Sequence, residues 1–308
     1  MRSTRVLLNI VYILITAIFV VLLVTYREEV TSTIHSTINE VLKEKVIIPS
    51  ERYNTRSFTF ETVRTTEDFE PNNLDELKNI YYTVLNNGWT NFTFYCPSDY
   101  KTCVDDTLKL ANKSDYLEII NYYVSPYNNY SLYNTTVSTT GEVNLSVDKV
   151  YEDSEIEYLK KYVDEVLRIL NINPDETPTK ESLKKIHDYL ISKISYDEDY
   201  KESDINSNSN NAYGAVTTHK AICSGYTDIY ALFLDRLNVK NIKLPSDNHI
   251  WNYVYFKNKW YHIDLTWDDD EVNKNNTSNF FMIDTKKLHE LDKEKHNFDK
   301  EFFIETKE

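Results

Sequence analysis

The chain has 308 residues, 41% of them hydrophobic, and a formal net charge of −15, a composition that favours folded domains with hydrophobic cores over disorder. The excess of carboxylates excludes binding through clustered Lys and Arg, so we expect no nucleic acid partner. Only four glycines occur, far below the usual share of about 7%, and two of them, Gly214 and Gly225, flank Cys223.

The first predicted element is a membrane-spanning helix at 6–25. Its apolar run of about 19 residues contains no charged side chain and matches the hydrocarbon thickness of a bilayer. Arg2 and Arg5 precede it, so the positive-inside tendency keeps the tail 1–5 in the cytoplasm and the rest of the chain outside the cell. We therefore predict a single-pass signal anchor in the cell membrane. A cleaved signal peptide is the alternative, disfavoured because no A-x-A-like site precedes Tyr26.

The next two segments are predicted as a linker and a small domain. Residues 26–50 are polar with scattered apolar positions, which indicates a stalk or a lead-in helix. Residues 51–150 are predicted to form a small α+β domain, with a helix over 74–85 that ends before Gly88. Alternating apolar and polar residues predict its strands at 57–63, 92–96 and 136–150.

Cys96 and Cys103 both lie in this small domain. An oxidising location would allow a disulfide between them, and the sequence leaves open whether it forms. Two cysteines lack the other ligands that a zinc site requires, and we predict no metal or organic cofactor. The acidic run 268–271 fits no calcium-binding loop and is interpreted as a solvated turn.

Residues 151–308 are predicted to form the second domain. Ser154 to Glu157 has the spacing of a capping box and precedes apolar residues at helical spacing. Thr177 and Pro178 are predicted to open another helix, since proline is tolerated in a first helical turn.

The residue that carries most information is Cys223. Apolar residues recur at helical spacing from Tyr226 to Leu237, so Cys223 is expected at, or one residue before, a helix N-terminus. Unpaired N–H groups and the positive end of the helix dipole favour a thiolate there. We expect Gly225 to keep the first turn clear beside the sulfur, and Gly214 to let the upstream loop pass close.

Two strands follow, one beginning at His249 and the other ending at Asp264. If Lys257 and Asn258 form a two-residue turn, Phe256 pairs with Lys259 and the strands form a hairpin. This register places His249 opposite Thr266, with Asp264 as its diagonal neighbour on the same face, about 7–8 Å away at Cα. A plain three-residue loop would put the two side chains on opposite faces, so the predicted chemistry requires the two-residue turn or a bulge with the same effect.

These three side chains have the complementary roles of a cysteine acyl-transfer site. His249 can take the proton of the Cys223 thiol and later return it to a leaving amine. Asp264 can fix the imidazole tautomer and stabilise its charged form. The Cys223 backbone N–H is a natural oxyanion donor, and Tyr213 is a candidate for the second donor. Trp251 and Tyr226 are candidates to line the pocket, while His219 and His262 are interpreted as structural or solvated.

This part of the chain resembles the bacterial, membrane-anchored branch of the transglutaminase-like superfamily. The resemblance covers roughly 180–290 and is carried by three segments: KAICSGYTDIYALFLDRLNV, NHIWNYVYFKNKWYHIDLTWDDD and NFFMID. It implies a papain-like α+β fold, in which a helix carrying Cys223 packs on an antiparallel sheet carrying His249 and Asp264. Known activities of the family are protein cross-linking by amide transfer and hydrolysis of peptides or amides.

The sequence therefore predicts a membrane-anchored, outward-facing cysteine acyltransferase, protease or amidase. Its substrate would be a protein or peptide amide, for which location alone suggests the cell envelope. One alternative is a catalytically inactive binding or structural module on the same scaffold, and another places the main function in residues 51–150. The acyl acceptor and the oligomeric state stay open.

Overall fold

The computed structural model describes residues 2–42, 46–53, 55–56, 63–112, 115–201, 208–269 and 278–307. The predicted strand at 57–63 lies outside the described residues except for Val63. The described residues form helices, two antiparallel sheets and one two-stranded parallel sheet, as expected of an α+β protein.

Two successive helices open the chain, α1 (Arg2–Thr25) and α2 (Arg27–Leu42). The segment Leu8–Thr25 has a mean hydropathy of 2.7 with none of it buried, so α1 is long and apolar enough to cross a membrane. A signal sequence near the N-terminus has the same features. Helix α2 is largely exposed, and His35 Nε2 lies 3.2 Å from the Thr139 carbonyl oxygen.

The first α+β unit combines three helices with a three-stranded antiparallel sheet of order β1-β3-β2. Its elements are α3 (Leu74–Asn86), β1 (Asn91–Tyr95), α4 (Cys103–Asn112), α5 (Asp115–Tyr123), β2 (Tyr130–Val137) and β3 (Glu142–Lys149). The segment predicted as one strand at 136–150 contains the last residues of β2, a turn with Gly141 at φ 84°, and all of β3. Cys96 and Cys103 form a disulfide that joins the end of β1 to the start of α4.

The remaining elements surround a four-stranded antiparallel sheet of order β6-β7-β8-β9. Before the sheet come α6 (Asp153–Ile169), α7 (Lys180–Lys193), β4 (Ser195–Tyr196), α8 (Ala212–Thr218), β5 (Lys220–Ala221) and α9 (Cys223–Arg236). The sheet and its connections are β6 (Asn241–Pro245), β7 (Ile250–Phe256), β8 (Lys259–Ile263), α10 (Leu265–Asp268), β9 (Phe281–Ile283) and α11 (Thr285–Asp292).

The two helix starts in this unit differ slightly from their predicted positions. Helix α6 is capped by Glu152, whose backbone N–H donates to the Glu155 carboxylate at 2.9 Å, so its capping box lies before the predicted one at Ser154. Helix α7 has Thr179 as its N-cap, which leaves Pro178 outside the first turn. Each helix begins after the residue whose side chain accepts a hydrogen bond from a free backbone N–H group of the first turn.

The four-stranded sheet separates two hydrophobic cores. Trp251 and Tyr253 pack on one face with residues of the first α+β unit, such as Phe94. Val254 and Ile263 belong to the second core, which the sheet shares with α9. The first core therefore includes residues from both sides of the predicted boundary at residue 150. The predicted fold class is confirmed, because the helix that carries Cys223 packs on an antiparallel sheet.

Candidate active site

Cys223 is the first residue of α9, after an extended N-cap at Ile222. Its side chain is half-buried, and it is the free thiol of a chain whose other two cysteines form the disulfide. The first N–H groups of a helix have no partner within the helix, so they face the sulfur region as positive partial charges. Cys223 thus lies at a helix N-terminus, as the apolar spacing predicts.

Both glycines near Cys223 lie against the backbone of the upstream loop, where a side chain would not fit. A Cβ atom on Gly225 would lie 2.5 Å from the Ser209 carbonyl oxygen and 3.0 Å from Ala221 Cβ. That same oxygen accepts a hydrogen bond from the Ile222 N–H at 2.8 Å. A Cβ atom on Gly214 would overlap the Asn208 backbone. Gly225 thus makes room for the upstream loop, whereas the sequence had suggested room beside the sulfur.

Three hydrogen bonds around Thr227 hold the start of α9, two of them against β7. Thr227 Oγ1 lies 2.8 Å from the Cys223 carbonyl oxygen and 2.9 Å from the Ile250 carbonyl oxygen. The Asn252 side-chain amide donates to the Thr227 carbonyl oxygen at 3.0 Å. Because His249 directly precedes β7, these contacts set the position of the imidazole relative to the thiol.

The hairpin has the register on which the predicted chemistry depends. Phe256 pairs with Lys259, and the turn residues Lys257 and Asn258 have φ values of 49° and 65°. These left-handed values are those of a type I′ turn, which matches the twist of the flanking strands. The two-residue turn is therefore confirmed.

Beyond the hairpin the chain departs from the predicted ladder. Strand pairing ends at Asn252 and Ile263, and Asp264 becomes the N-cap of α10. The predicted position of His249 opposite Thr266 is wrong, because Thr266 lies in that helix. The carboxylate reaches the imidazole as a helix cap, and no strand neighbour is involved.

His249 connects the thiol to this carboxylate. Its Nε2 lies 2.5 Å from Asp264 Oδ2, and its imidazole also hydrogen-bonds the Cys223 side chain. Burial of His249 opposes protonation, but the Asp264 charge and the hydrogen bonds to Asp264 and Cys223 outweigh it and raise the pKa of His249 to about 10. The positively charged imidazolium is therefore the stable form of His249 at neutral pH.

Asp264 is held by four hydrogen-bond donors. Its Oδ1 accepts from the backbone N–H groups of Thr266 at 3.0 Å and Trp267 at 3.2 Å. Its Oδ2 accepts from His249 and from a second histidine, His296, at 2.9 Å. Burial opposes ionisation of Asp264, but the two histidines outweigh it and hold the pKa of Asp264 well below its usual range.

His296 is a site residue that the sequence did not reveal. It is fully buried, and its Nδ1 lies 3.1 Å from the Asp292 carbonyl oxygen while its Nε2 faces Asp264. Both ring nitrogens of His296 thus face oxygen acceptors. The segment after α11 carries no sequence motif, and only packing brings His296 to the site. Its neighbour Phe298 lies in the first core.

Aromatic rings enclose the imidazoles on several sides. Trp251 is fully buried, stacks on His249 with ring centroids 5.6 Å apart, and donates its Nε1–H to His262 Nδ1 at 3.0 Å. Burial lowers the pKa of His262 well below its ordinary value, so this residue stays neutral and supports Trp251. Trp267 is 37% exposed, with its ring 6.1 Å from that of His249. Among the tryptophans around His249, the accessible one is Trp267.

The other candidate residues occupy different surroundings. Tyr226 is fully buried and donates its hydroxyl hydrogen to Asp269. Tyr213 packs edge-on against Tyr158 with ring centroids 5.5 Å apart, and His219 is an exposed residue that ends α8. Tyr196, which the sequence did not indicate, is 43% exposed; burial first, and then the nearby Cys223, raise its pKa.

The ligand atoms of His249, Asp264 and His296 lie within 4.8 Å of one another. Within the described ranges this triangle has the imidazole and carboxylate donors that divalent transition metals accept. The two hydrogen bonds to Asp264 already account for the closeness of the three groups. A bound metal ion would compete with those hydrogen bonds.

A second buried histidine–aspartate pair lies at the other end of α10. His187 Nε2 is 3.1 Å from Asp268 Oδ2, and Asp268 Oδ1 accepts the Phe280 N–H at 3.0 Å. Burial opposes protonation of His187, but Asp188 and Asp268 raise its pKa. The prediction of a solvated turn at 268–271 is wrong for Asp268, which is buried to satisfy these donors, while 270–271 lie outside the described residues.

The chain is similar to one family model and to several solved structures. Residues 169–265 match the family model of the transglutaminase-like superfamily, so the chain contains a transglutaminase-like domain. A TGase crystal structure is 14% identical, with a TM-score of 0.33 and 44% of each chain covered. A proposed cysteine protease from Cytophaga hutchinsonii is 11% identical, with a TM-score of 0.27, and the match covers 44% of this chain and 61% of that one. The chain thus spans less than two thirds of either structure. No curated protein matches it.

Proposed function

We propose that this chain with its transglutaminase-like domain is an acyl-transfer enzyme that uses Cys223 as nucleophile, His249 as general acid and base, and Asp264 as the group that orients His249. The observation that carries the proposal is that one imidazole hydrogen-bonds the thiol of a helix N-terminus and a buried carboxylate at once. This arrangement is the general signature of an activated nucleophile.

The proposed reaction begins with attack of the Cys223 thiolate on an amide carbonyl carbon. Negative charge develops on the carbonyl oxygen, and the Cys223 backbone N–H at the start of α9 is the proposed donor to it. The His249 imidazolium gives its proton to the departing nitrogen, and a thioester remains on Cys223. Water or a primary amine, deprotonated by His249, then releases the acyl group and restores the thiol.

Asp264 and His296 have supporting roles in this proposal. The Asp264 carboxylate accepts from His249 Nε2, so the other ring nitrogen of His249 is available to the sulfur. His296 and two backbone N–H groups bind the remaining acceptor positions of Asp264. We propose that His296 is a positioning residue, because it touches Asp264 and the His249 ring but not the thiol.

We further propose that the enzyme is anchored by α1 and faces the outside of the cell. Arg2 and Arg5 precede the apolar segment, and the positive-inside tendency keeps such residues in the cytoplasm. The Cys96–Cys103 disulfide supports an oxidising location. A membrane-impermeant maleimide applied to intact cells should therefore label Cys223. Labelling only after the membrane is permeabilised would reverse the proposed topology.

The test of the nucleophile needs no known substrate. The rate at which iodoacetamide alkylates Cys223, measured against pH, should stay high below pH 7, since the His249 imidazolium stabilises the thiolate. The variant His249→Gln should show the profile of an ordinary thiol, which ionises near pH 8.5. Identical profiles for both proteins would favour the inactive binding module.

The test of the reaction uses a glutamine-containing peptide as acyl donor and a fluorescent primary amine as acceptor. Intact-mass spectrometry should detect an acyl adduct on the wild-type chain and none on Cys223→Ala. Incorporation of the amine would identify a transferase, and release of ammonia alone would identify a hydrolase. An adduct of equal yield on the two proteins would contradict the mechanism.

A further inference from the structure

A second group of reactive side chains lies where α9, β6 and the residue before β2 meet. Lys243 of β6, Asp228 of α9 and Asn129 before β2 are all buried, with 4%, 5% and 6% of their surfaces exposed. The proposed acyl-transfer chemistry uses none of them. Burying a lysine and an aspartate costs free energy that a pair of apolar residues would not, so the cluster requires an explanation.

The Asp228 carboxylate bridges the other two groups. Lys243 Nζ lies 3.0 Å from Asp228 Oδ1 and 3.0 Å from Asn129 Oδ1. Asn129 Nδ2 donates to Asp228 Oδ2 at 2.8 Å. The amine is thus beside the carboxamide group, and one carboxylate oxygen contacts the amine while the other contacts the amide nitrogen.

We propose that Lys243 and Asn129 form an intramolecular isopeptide bond, with Asp228 as the proton carrier. Lys243 Nζ gives one proton to Asp228, and its lone pair forms a bond to Asn129 Cγ. A second Nζ proton passes through the carboxyl group to Nδ2, the Cγ–Nδ2 bond breaks, and ammonia leaves. Asp228 ends protonated, and nothing is oxidised or reduced.

The surroundings support each step of this condensation. A lysine attacks only as the neutral amine, and burial lowers the pKa of Lys243, against the opposing effect of Asp228. Tyr151 lies beside the carboxylate, with its hydroxyl 3.4 Å from Asp228 Oδ2. The three groups are already held within hydrogen-bond distance, so the reaction needs no separate binding step.

The bond would connect the two units of the chain covalently. Asn129 directly precedes β2 of the first α+β unit, whereas Lys243 belongs to the four-stranded sheet, and 114 positions separate them in the sequence. A link of this kind restricts the unfolded chain more strongly than the seven-residue separation of the Cys96–Cys103 disulfide does. It would hold the sheet that carries the site against the first unit.

The test is the intact mass of the full-length chain, purified in detergent and measured after reduction and denaturation. The variant Cys223→Ala is used, so that the chain's own acyl-transfer activity cannot release ammonia. We expect a mass lower than the sequence mass by one ammonia molecule. Tandem mass spectrometry of a digest should then find the peptides containing residues 129 and 243 joined to each other.

Three variants in the same background act as controls. Lys243→Met, Asn129→Ala and Asp228→Asn should each restore the full sequence mass, because they remove the nucleophile, the acyl group and the proton carrier. Lys149 is a matched internal control: it is partly buried beside the Asn128 backbone oxygen, at 3.1 Å, and its peptide should stay unlinked. A Cys223→Ala chain of full sequence mass overturns the proposal, as does ammonia loss without a 129–243 linked peptide.

Discussion

Two buried histidine–aspartate pairs lie at opposite ends of the four-residue helix α10. His249 and Asp264 meet at its start with 2.5 Å between their atoms, and His187 and Asp268 meet at its end with 3.1 Å. In both pairs the aspartate also accepts backbone N–H groups and the neighbouring carboxylates raise the pKa of the histidine. The hydrogen bonds and pKa shifts within each pair therefore do not show which pair is catalytic.

Their surroundings separate them. His187 is enclosed, and its second nitrogen bonds the Asp188 carboxylate at 2.9 Å, so both of its ring nitrogens are bound to acids. The second partner of His249 is the thiol of Cys223, and the exposed ring of Trp267 lies 6.1 Å from the His249 ring. A histidine–aspartate pair therefore indicates a catalytic site only when the free nitrogen faces a nucleophile at an accessible surface.

The largest expected effect follows from removing the nucleophile. Cys223→Ala should lower the rate of acyl transfer by about ten-thousand-fold or more, the order seen when a nucleophile that acts with its base is deleted. The thermal midpoint should change little, because the side chain is half-buried. Turnover with the peptide and amine pair is the measurement. Residual turnover within tenfold of the wild type would remove Cys223 from the mechanism.

Next in size is the loss of charge at the first pair. Asp264→Asn preserves the shape but lets the amide hydrogen-bond the wrong tautomer of His249, and we expect kcat to fall by about 10³- to 10⁴-fold. The matched change at the second pair, Asp268→Asn, should leave the rate of Cys223 alkylation unchanged. If Asp264→Asn and Asp268→Asn changed the rate of Cys223 alkylation equally, the two histidine–aspartate pairs would not differ in function.

His296→Gln should have an intermediate effect. We expect kcat to fall by about 10²-fold with little change in KM, because Asp264 loses a donor that orients it. His296 also helps to lower the pKa of Asp264, so the variant should lose stability at a higher pH than the wild type as acid is added. Thermal midpoints between pH 2 and 6 measure this. An unchanged acid profile would indicate that His296 only fills space.

The two histidines should also differ in how they stabilise the fold. His187→Gln leaves Asp268 without its buried partner and should destabilise the fold by about 3 kcal/mol, measured by urea unfolding at pH 6, while alkylation of Cys223 stays as in wild type.

The raised pKa of His249 gives stability that is complete below about pH 6.5 and is lost as pH rises through about 10. Between these pH values the variant His249→Gln should lose less stability than the wild type does.

The smallest predicted effect concerns Trp267, the exposed ring beside His249. Trp267→Ala removes the accessible ring beside His249 and should raise KM by about tenfold, with kcat nearly unchanged, if this ring contacts the peptide. Trp251→Ala is a contrasting variant, because that ring is fully buried and its loss should chiefly lower stability, by about 3–5 kcal/mol. A change in kcat alone for Trp267→Ala would place the ring outside the binding surface.

Local chemistry in the sequence determines several features of this protein. Apolar spacing after Cys223 predicts α9, and the short segment around Asn258 predicts a tight turn between two strands, because both signals depend on neighbouring residues. The register of that hairpin follows from the sequence only if the turn has two residues, which the structure shows. The apolar segment near the N-terminus predicts a helix of membrane-spanning length, which α1 has. The order of cysteine, histidine and aspartate indicates the family, and the matched segment 169–265 agrees.

Only the tertiary structure decides the rest. Asp264 meets His249 because the chain leaves the sheet there and begins α10, and the sequence pattern of a strand does not reveal where pairing stops. His296 joins the same carboxylate from a segment with no motif, since packing among aromatic rings, and no local periodicity, places it. Likewise, the contacts of Asp228 with Lys243 and Asn129 depend on the docking of distant elements. Local pattern fixes elements, whereas long-range packing decides which buried polar groups become partners.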